Sequence, residues 1–474
     1  MGDLIATADE HLQKVISGVE HVDAQLLNPI AARLNLDAGS LLANQESTIC
    51  VLLPTVIQAL QAPQEGEDYE PVINLLRAIL SKQRFHDVIK YVPIEVFLEG
   101  LNSNISSLQH VCIEQVRNAK PADLVANTPL VDALLKLGLS DTAESNISYE
   151  ALETLVELGT MGALVRRRLL TGQSLRCLQE VRHGNDAKLQ SRVCDLVQGI
   201  YPHDQERLLP KEFICYEPAK IDHYDDLLFS LQLIGFYKNL FSSEHLPELV
   251  ELTRDQVKAI INLYSQRDTN SDIRAFFLNH ILEFLGTLSR KELQYFKQLD
   301  DEYNITEDYT ETIYLNEDAP ILFMSLLNPE YLVQKRPESI RNLPYKARTV
   351  RALKNLLKDQ DAYNISVPTS DKLLSLPYLE LMVILTSIAS TPWGTNDLLE
   401  NWPSVMDSLI SNEDLKDKDV ISFRREVFEL LLDNNSQDTL GVWYDGIKKS
   451  YKQMLFGTAE YNPGVMIADE SGDI

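Results

Sequence analysis

Residues 271–286 read Ser271-Asp-Ile-Arg-Ala-Phe-Phe-Leu-Asn-His-Ile-Leu-Glu-Phe-Leu-Gly286, and the fold prediction starts from this stretch. Apolar side chains recur in it and just beyond it at helical spacing, in two sets: Ile273, Phe277, Ile281, Phe284 and Leu288, then Ala275, Leu278, Leu282 and Leu285. Two sets cover more of a helix than the single apolar stripe of an ordinary surface helix. We therefore expect this helix to be buried on several sides, with Ser271 or Asp272 capping its N-terminus.

The polar residues of the same helix form one narrow strip. Asp272, Asn279, Glu283 and Thr287 also fall at helical spacing, so only one edge of the helix is expected to face water. The inner helix of a stacked helix-pair repeat has this pattern, because it packs on its own partner and on the repeats before and after it. The stretch thus predicts a solenoid, an architecture that favours binding over catalysis.

Helical periodicity and weak internal repeats extend over most of the chain. Apolar residues recur at three-and-four spacing, and no alternating strand pattern is found. Pro93-Ile-Glu-Val-Phe-Leu-Glu-Gly-Leu recurs from Pro129 at an offset of 36, and Asn104-Ile-Ser recurs from Asn146 at an offset of 42. Such offsets are close to the ~40–47-residue period of HEAT and armadillo repeats. The predicted helices are 8–18, 41–60, 71–83, 152–170, 187–200, 224–241, 254–267, 272–288, 320–327, 345–358, 379–390, 403–410, 420–432 and 442–455.

The predicted architecture is all-α, a HEAT/armadillo-like α-solenoid that runs continuously over residues 1–456. Residues 300–318 are acidic and rich in Thr and Tyr, too polar to pack as a buried helix, and are the best position for a hinge. Residues 457–474 carry Gly, Pro and acids and are expected to form an acidic C-terminal tail.

The charge of the chain restricts its partners. The 474 residues include 43 Lys+Arg against 70 Asp+Glu, a formal charge of -27. Nucleic-acid affinity comes largely from Lys and Arg displacing counterions, so direct nucleic-acid binding is disfavoured, and a basic protein is the natural partner. The 5 cysteines form no Cys-x-x-Cys pair and are expected to be free thiols in a reducing compartment. The chain shows no signal peptide or apolar run long enough to span a membrane, so we expect a cytoplasmic protein that also enters the nucleus.

Motifs for enzymatic chemistry are missing from the sequence. We find no phosphate-binding Gly-x-x-x-x-Gly-Lys-Ser/Thr, no His-Glu-x-x-His, no zinc spacing of Cys and His, and no Gly-x-Ser-x-Gly. The expectation is therefore a non-enzyme without cofactor, metal or small-molecule substrate. Asp300-Asp301 resembles a Mg²⁺-diphosphate motif of helical synthases, but a second metal-binding segment is lacking, so an exposed acidic loop is favoured. His280 is expected to pack with one nitrogen satisfied.

Two further clusters have a structural and a functional interpretation. Arg166-Arg-Arg168 is expected to form internal ion pairs or to interact with a helix C-terminus, with direct partner contact as the alternative. Trp443-Tyr444 is expected to anchor an atypical terminal repeat that closes the last apolar face of the solenoid, rather than to bind a ligand.

Several short segments resemble one known family, and they occur in the same order. They are Arg166-Arg-Arg-Leu169, Asp272-Ile-Arg-Ala-Phe276, Leu326-Leu-Asn-Pro-Glu-Tyr-Leu-Val333, Leu376-Pro-Tyr-Leu-Glu-Leu-Met382, Val442-Trp-Tyr444 and Ile467-Ala-Asp469. They resemble the yeast HEAT-repeat assembly chaperones of the proteasome regulatory particle, relatives of the non-ATPase regulatory subunit five of animals. The first eighty residues match this family least.

The resemblance implies a C-shaped HEAT solenoid without enzymatic activity, whose concave face is lined by inner helices. It implies binding to the C-terminal domain of the first proteasomal ATPase subunit of the base, contact with a neighbouring ATPase subunit, and release before the mature particle forms. Members of this family have also been labelled DNA mismatch repair proteins. No ATPase loop or basic face in this sequence supports direct repair activity.

The predicted partner-binding residues lie on two helices. Asp272, Phe276, Asn279 and Glu283 are the first choice, and Arg348, Arg351 and Asn355 are the second. The alternative for each is an ordinary solvated helix edge. The rival functions are a generic HEAT scaffold or transport adaptor with another client and, more remotely, a helical Mg²⁺-dependent enzyme that uses Asp300 and Asp301.

Overall fold

A computed structural model of the chain describes residues 2–36, 51–61, 63–64, 66–81, 83–243, 248–307, 318–411 and 417–456. These residues form helices joined by short turns and contain no strand. Neighbouring helices along the chain pack side by side in two layers, so the predicted all-α solenoid is confirmed. The described residues divide into two compact units, with the boundary between Ile260 and Ile261.

The first unit contains the helices α1 to α16, the last of which extends past the boundary. Their bounds are α1 Gly2–Ile16, α2 Ala24–Leu36, α3 Leu53–Gln61, α4 Glu70–Leu80, α5 Phe85–Val88, α6 Ile94–Leu101, α7 Ser106–Arg117, α8 Leu130–Gly138, α9 Ser145–Met161, α10 Ala163–Leu169, α11 Gly172–His183, α12 Ala187–Ile200, α13 Ala219–Asp222, α14 Leu227–Ser242, α15 Leu249–Leu252 and α16 Arg254–Ser265.

The second unit continues with a π-helical turn, Ile273–Phe277, and the helices α17 to α30. Their bounds are α17 Leu278–Lys291, α18 Leu293–Tyr303, α19 Asp318–Leu326, α20 Pro329–Lys335, α21 Pro337–Arg341, α22 Val350–Leu356, α23 Gln360–Ser366, α24 Ser370–Leu374, α25 Tyr378–Ala389, α26 Pro392–Asn396, α27 Pro403–Ser411, α28 Lys418–Asn434, α29 Gln437–Leu440 and α30 Tyr444–Phe456.

One helix of each repeat packs on the matching helix of the next repeat, which produces a row. In the first unit the row is α4, α7, α9, α12 and α14, and in the second it is α17, α19, α22, α25, α28 and α30. The first-unit row helices begin at residues 70, 106, 145, 187 and 227, a spacing of roughly 40 residues, as in HEAT and armadillo arrays. The other helices, among them α6, α8 and α11, form a second layer beside the row.

Hydrogen bonds between side chains about one repeat apart join neighbouring repeats. His110 Nδ1 lies 2.6 Å from Glu150 Oε2, Arg117 Nε donates to Thr154 Oγ1 at 3.0 Å, and Gln232 Nε2 donates to Asp195 Oδ1 at 2.8 Å. The two residues of each pair are 40, 37 and 37 positions apart. The sequence separation of these bonded residues therefore matches the repeat length, as expected of an array in which each repeat contacts the next.

Two predicted helices differ clearly from the structure, one because it is broken and one because it is much shorter. The helix predicted for 152–170 begins earlier, at Ser145, and breaks at Gly162, which has extended backbone and sits against Asp123 and Ala122. Asp123 Oδ1 accepts the N–H of Leu164 at 3.0 Å and so caps the next helix, α10. The helix predicted for 345–358 covers only Val350–Leu356 after a short 3₁₀ turn, Ala347–Thr349.

The prediction that the stretch from Asp300 is too polar to be buried is wrong for Asp300 and Thr306, whereas Asp301, Glu302, Asn304 and Glu307 are exposed. Asp300 lies in the last turn of α18 and is only 5% exposed. Its carboxylate accepts hydrogen bonds from the N–H of Thr306 at 2.7 Å, from Thr306 Oγ1 at 2.8 Å and from the Tyr331 hydroxyl. Residues 308–317 lie outside the described residues, so a hinge at 300–318 remains a prediction, as does the tail at 457–474.

The described cysteines are free, as expected. Cys112 and Cys194 are buried, and burial raises the pKa of each thiol to about 12, whereas Cys177 and Cys215 are partly exposed. Cys50 lies outside the described residues. Among the described residues, no helix is both long and apolar enough to cross a membrane.

Candidate protein-binding surface

The helix that carries the first set of predicted site residues starts with an unusual turn. The side chain of Asn270 accepts the N–H of Asp272 at 3.0 Å, so Asn270 and not Ser271 or Asp272 supplies this cap. Ile273–Phe277 then forms a π-helical turn before α17. Single π turns are often found at functional sites. The predicted apolar positions of the helix are buried, with Ile273, Phe277 and Ile281 fully inaccessible, except for Ala275, which is exposed.

Three of the four first-choice residues are exposed on this helix. Asp272, Phe276 and Asn279 face solvent and Glu283 is half-buried, and we call these four residues the acidic strip. Phe276 is 52% exposed, which is a large fraction for a phenylalanine. In the acidic strip it lies between Asp272 and Asn279, four residues before it and three after it. His280 is exposed as well, so the prediction that it packs in the interior is wrong. Helical periodicity places this residue at the edge of the acidic strip.

The second set of predicted residues divides into a solvent-facing and a structural part. Arg351 is exposed and Arg348 is half-buried. Asn355 Nδ2 donates to the carbonyl oxygens of Met324 at 2.9 Å and Leu327 at 2.8 Å, and so caps the C-terminal end of α19. Partner binding by Asn355 remains a prediction, but its amide group already satisfies backbone carbonyls.

Arg290 joins the helix that carries the first set to Asn355 of the second set. Its Nη2 donates to Asn355 Oδ1 at 3.0 Å and to the carbonyl oxygen of Ser325 at 3.0 Å, and burial lowers the pKa of its guanidinium. Helix α22 is thus tied to the C-terminal end of α17, whereas Asp272 precedes the N-terminal end. At ~1.5 Å of rise per residue, Asp272 and Arg290 are separated by about 27 Å along the helix. The sequence did not single out Arg290, because its role depends on contacts with residues 35 and 65 positions away.

The paired aspartates of the enzymatic alternative serve different structural roles. The Asp300 carboxylate is enclosed by donors, whereas Asp301 is exposed and forms an ion pair with Lys335. Both Asp300 oxygens are already used in hydrogen bonds to the protein. In the part of the chain that the structure describes, no three His, Cys, Asp or Glu side chains come together as a metal site.

The basic cluster is used within the protein. Arg166 Nη1 donates to the carbonyl oxygen of Gly159 at 2.6 Å, Arg167 forms an ion pair with Glu206 at 2.8 Å, and Arg168 forms one with Asp132. These contacts confirm the interpretation of the cluster as internal ion pairs and a helix-end contact. Trp443 Nε1 donates to the carbonyl oxygen of Leu399 at 3.1 Å, which anchors the last helices as predicted.

Comparison with known proteins gives two matches that together cover nearly the whole chain. Residues 9–242 match the family described as "DNA mismatch repair protein HSM3, N terminal domain", and residues 248–472 match the corresponding "C terminal domain". The protein of that name from Eremothecium gossypii is 24% identical, over 97% of this chain and 95% of its own length. The one from Saccharomyces cerevisiae is 22% identical, over 91% of each chain.

Among solved structures, one described as "Kap95:Nup1 complex" is similar in fold. It has a TM-score of 0.56 and 11% sequence identity, over 91% of this chain and 58% of that one. At this identity the likeness shows the fold alone, an α-helical solenoid. The two domain matches, which leave few residues uncovered, show that this chain belongs to the HSM3 family.

Proposed function

We propose that this protein is an assembly chaperone of the proteasome regulatory-particle base, without enzymatic activity, that acts in the cytoplasm and also enters the nucleus. Its client is the C-terminal domain of the first proteasomal ATPase subunit, with contact to a neighbouring ATPase subunit, and it leaves before the mature particle forms. The acidic strip is the observation that carries this proposal, because a half-exposed aromatic side chain sits there between polar and acidic residues on a preformed helix. The sequence resemblance supplies the identity of the client.

The strip has the properties of a protein-binding surface. Phe276 provides an aromatic anchor, and aromatic residues are enriched among the side chains that dominate binding energy. Asp272 and Glu283 would attract a basic client and raise the rate of association. Since the helix is already ordered by its buried side, little conformational entropy is lost when the client binds.

The test mixes the full chain with the isolated C-terminal domain of each proteasomal ATPase subunit, followed by size-exclusion chromatography and calorimetric titration. We expect a complex with the first subunit of the base. Phe276→Ala should weaken it at least 10-fold, as is typical of a central aromatic contact. Asp272→Lys/Glu283→Lys should weaken it strongly at low salt and less at high salt, because salt screens exposed charges.

A charge-matched control is Asp361→Lys/Asp407→Lys, two exposed acids on α23 and α27. This variant changes the net charge equally and should bind the client like the unmodified protein. If neither double variant weakens the complex, the chaperone proposal stands but the client binds outside the acidic strip. The absence of a complex with any ATPase domain would refute the chaperone proposal and favour a scaffold or transport adaptor with another client.

The name of the relatives, DNA mismatch repair protein HSM3, suggests a second candidate, a role in DNA mismatch repair. We propose that any such role of this chain is indirect, since a net charge of -27 opposes contact with phosphates. A mobility-shift assay with a mismatched duplex at physiological salt tests this point. Submicromolar binding of the mismatched duplex would show that the indirect interpretation is wrong.

A further inference from the structure

An open groove crosses the second layer of helices in the first unit. It has a volume of about 660 Å³ and runs over α8, between α6 and α11. Leu98, Ala133 and Leu135 form an apolar floor, while Lys136, Arg176 and Glu180 line the rim. We call it the outer groove. Its size is in the range of sites that bind ligands or peptide side chains.

One wall of the outer groove is fixed by Asp132. Its Oδ1 accepts the Ser174 hydroxyl at 2.6 Å, and its Oδ2 accepts the Arg168 guanidinium. Burial acts to raise the pKa of this carboxyl, but the hydrogen bonds from Ser174 and Arg168 outweigh burial and the pKa is lowered. Asp132 therefore stays ionised, with its charge balanced by Arg168, and joins α8 to α10 and α11.

The two cations of the outer groove make no such close contact, although the charge of Lys136 helps to lower the pKa of Asp132. Lys136 and Arg176 are exposed, and neither makes a hydrogen bond or close ion pair within the part of the chain that the structure describes. Other arginines of the same region bond to the protein. They are Arg166, Arg167, Arg168, Arg182 and Arg192, which donate to backbone carbonyls or carboxylates. The charges of Lys136 and Arg176 are thus available to a partner.

A second cavity adjoins the first and shares Asn102 and Lys136 with it. Its volume is about 430 Å³, and hydroxyl groups of Ser103, Ser140 and Thr142 contribute to its lining. Lys136 therefore stands between an apolar floor on one side and a polar recess on the other. Because the recess is also lined by the exposed Glu144, a bound chain would place an apolar side chain on the floor and an acidic one between Lys136 and Arg176, on the side of the outer groove.

We propose that the outer groove binds an acidic peptide segment of a partner protein, with apolar side chains on Leu98, Ala133 and Leu135 and carboxylates on Lys136 and Arg176. Charge complementarity carries the choice of occupant, because the unpaired cations outnumber the single unpaired acid, Glu180. The planar guanidinium of Arg176 can hold a carboxylate with two parallel hydrogen bonds. This surface is separate from the acidic strip and prefers a partner of opposite charge, so it does not depend on the proposed client.

A fluorescein-labelled peptide of alternating Glu and Leu, ten residues long, serves as the ligand in fluorescence anisotropy with the full chain. We expect saturable binding that weakens as salt is added. Lys136→Glu/Arg176→Glu should reduce affinity at least 10-fold. The same peptide with Lys in place of Glu should not compete for the groove.

The matched control is Lys188→Glu/Lys211→Glu, two exposed cations of the first unit outside the groove lining. It changes the net charge by the same amount and should leave affinity within about twofold. An equal loss of peptide affinity in both double variants would show that only the net charge matters, and this result would overturn the proposal. Absence of saturable binding to the unmodified chain would also overturn it.

Cysteine protection gives a second readout that overall charge does not affect. Cys177 lines the outer groove, whereas Cys215 is similarly half-exposed but lies elsewhere in the same unit. Burial raises the pKa of both thiols, so both should react slowly with N-ethylmaleimide. Bound peptide should slow the modification of Cys177 and leave that of Cys215 unchanged. Equal rates at Cys177 with and without saturating peptide would show that the peptide binds outside the groove.

Discussion

Gly286 shows how closely two row helices approach each other. A Cβ atom at this position would lie 2.5 Å from Leu326 Cβ and 3.0 Å from the Leu326 carbonyl oxygen. Backbone cannot move aside like the end of a side chain, so we expect Gly286→Ala to destabilise the second unit by about 1–3 kcal/mol. The three tryptophans all lie in that unit, so urea unfolding followed by tryptophan fluorescence measures the loss.

The control for this substitution is Gly235→Ala in α14 of the first unit, where a Cβ would meet nothing within 4 Å; urea unfolding of both variants is also followed by circular dichroism, which reports on the helices of both units. Alanine is a better helix former than glycine by up to about 1 kcal/mol, so this variant should be neutral or stabilising. A Gly286→Ala protein as stable as the unmodified chain would mean that α17 and α19 can separate without cost.

Asp300 and Asp301 are neighbours in sequence with different expected effects on stability. Asp300→Ala leaves the Thr306 and Tyr331 donors buried without an acceptor, so it should cost at least ~2 kcal/mol. Asp301→Ala removes one exposed ion pair with Lys335 and should cost no more than about 1 kcal/mol. Tryptophan-detected unfolding compares them, and similar losses would contradict the role assigned to Asp300.

At the scale of helices, Asn355 is expected to join α22 to α19 rather than only to face a partner. Asn355→Ala removes two hydrogen bonds to the end of α19 and one to Arg290, and should lower the stability of the second unit by about 1–3 kcal/mol. Arg351→Ala, one turn away and exposed, is the control and should change stability by less than about 0.5 kcal/mol. Equal stability of the two variants would leave Asn355 with only a surface role.

The helices themselves were largely predictable, and their ends were not. The apolar periodicity of 187–200 gave α12 with the bounds that the structure has, because its N-terminus is fixed locally by Asp186, which accepts the N–H of Leu189. The break at Gly162 depends on Asp123, 41 positions away from the N–H of Leu164 that it caps. No local pattern contains that information.

The same reasoning explains for which of the proposed site residues the degree of exposure could be predicted. Exposure of Asp272, Phe276 and Asn279 follows from helical spacing, since their neighbours must fill the core. Burial of Asp300 could not be predicted, because a carboxylate is buried only when distant donors such as Tyr331 are available. The outer groove was missed because its lining comes from three helices that are separated in sequence.

For the molecule as a whole, a solenoid predicts that damage remains local. Each repeat contacts its neighbours and little else, so stability is close to a sum of repeat and interface contributions. We expect hydrogen exchange in Gly286→Ala to accelerate in α17, α19 and α22 and to stay unchanged in α4, α7 and α9. Uniform acceleration over both units would show that the chain unfolds as a single cooperative body.

Hydrogen bonds between residues about one repeat apart also restrict how such a gene can change. One codon inserted inside a helix would rotate every later side chain of that helix by about 100° and misalign it with both neighbours. A substitution that keeps the polarity and volume of a side chain causes no such rotation. The Eremothecium gossypii relative differs at three positions in four, yet aligns over 97% of this chain and 95% of its own length. A large difference in residue identity is therefore compatible with an alignment that spans nearly the whole length of both chains.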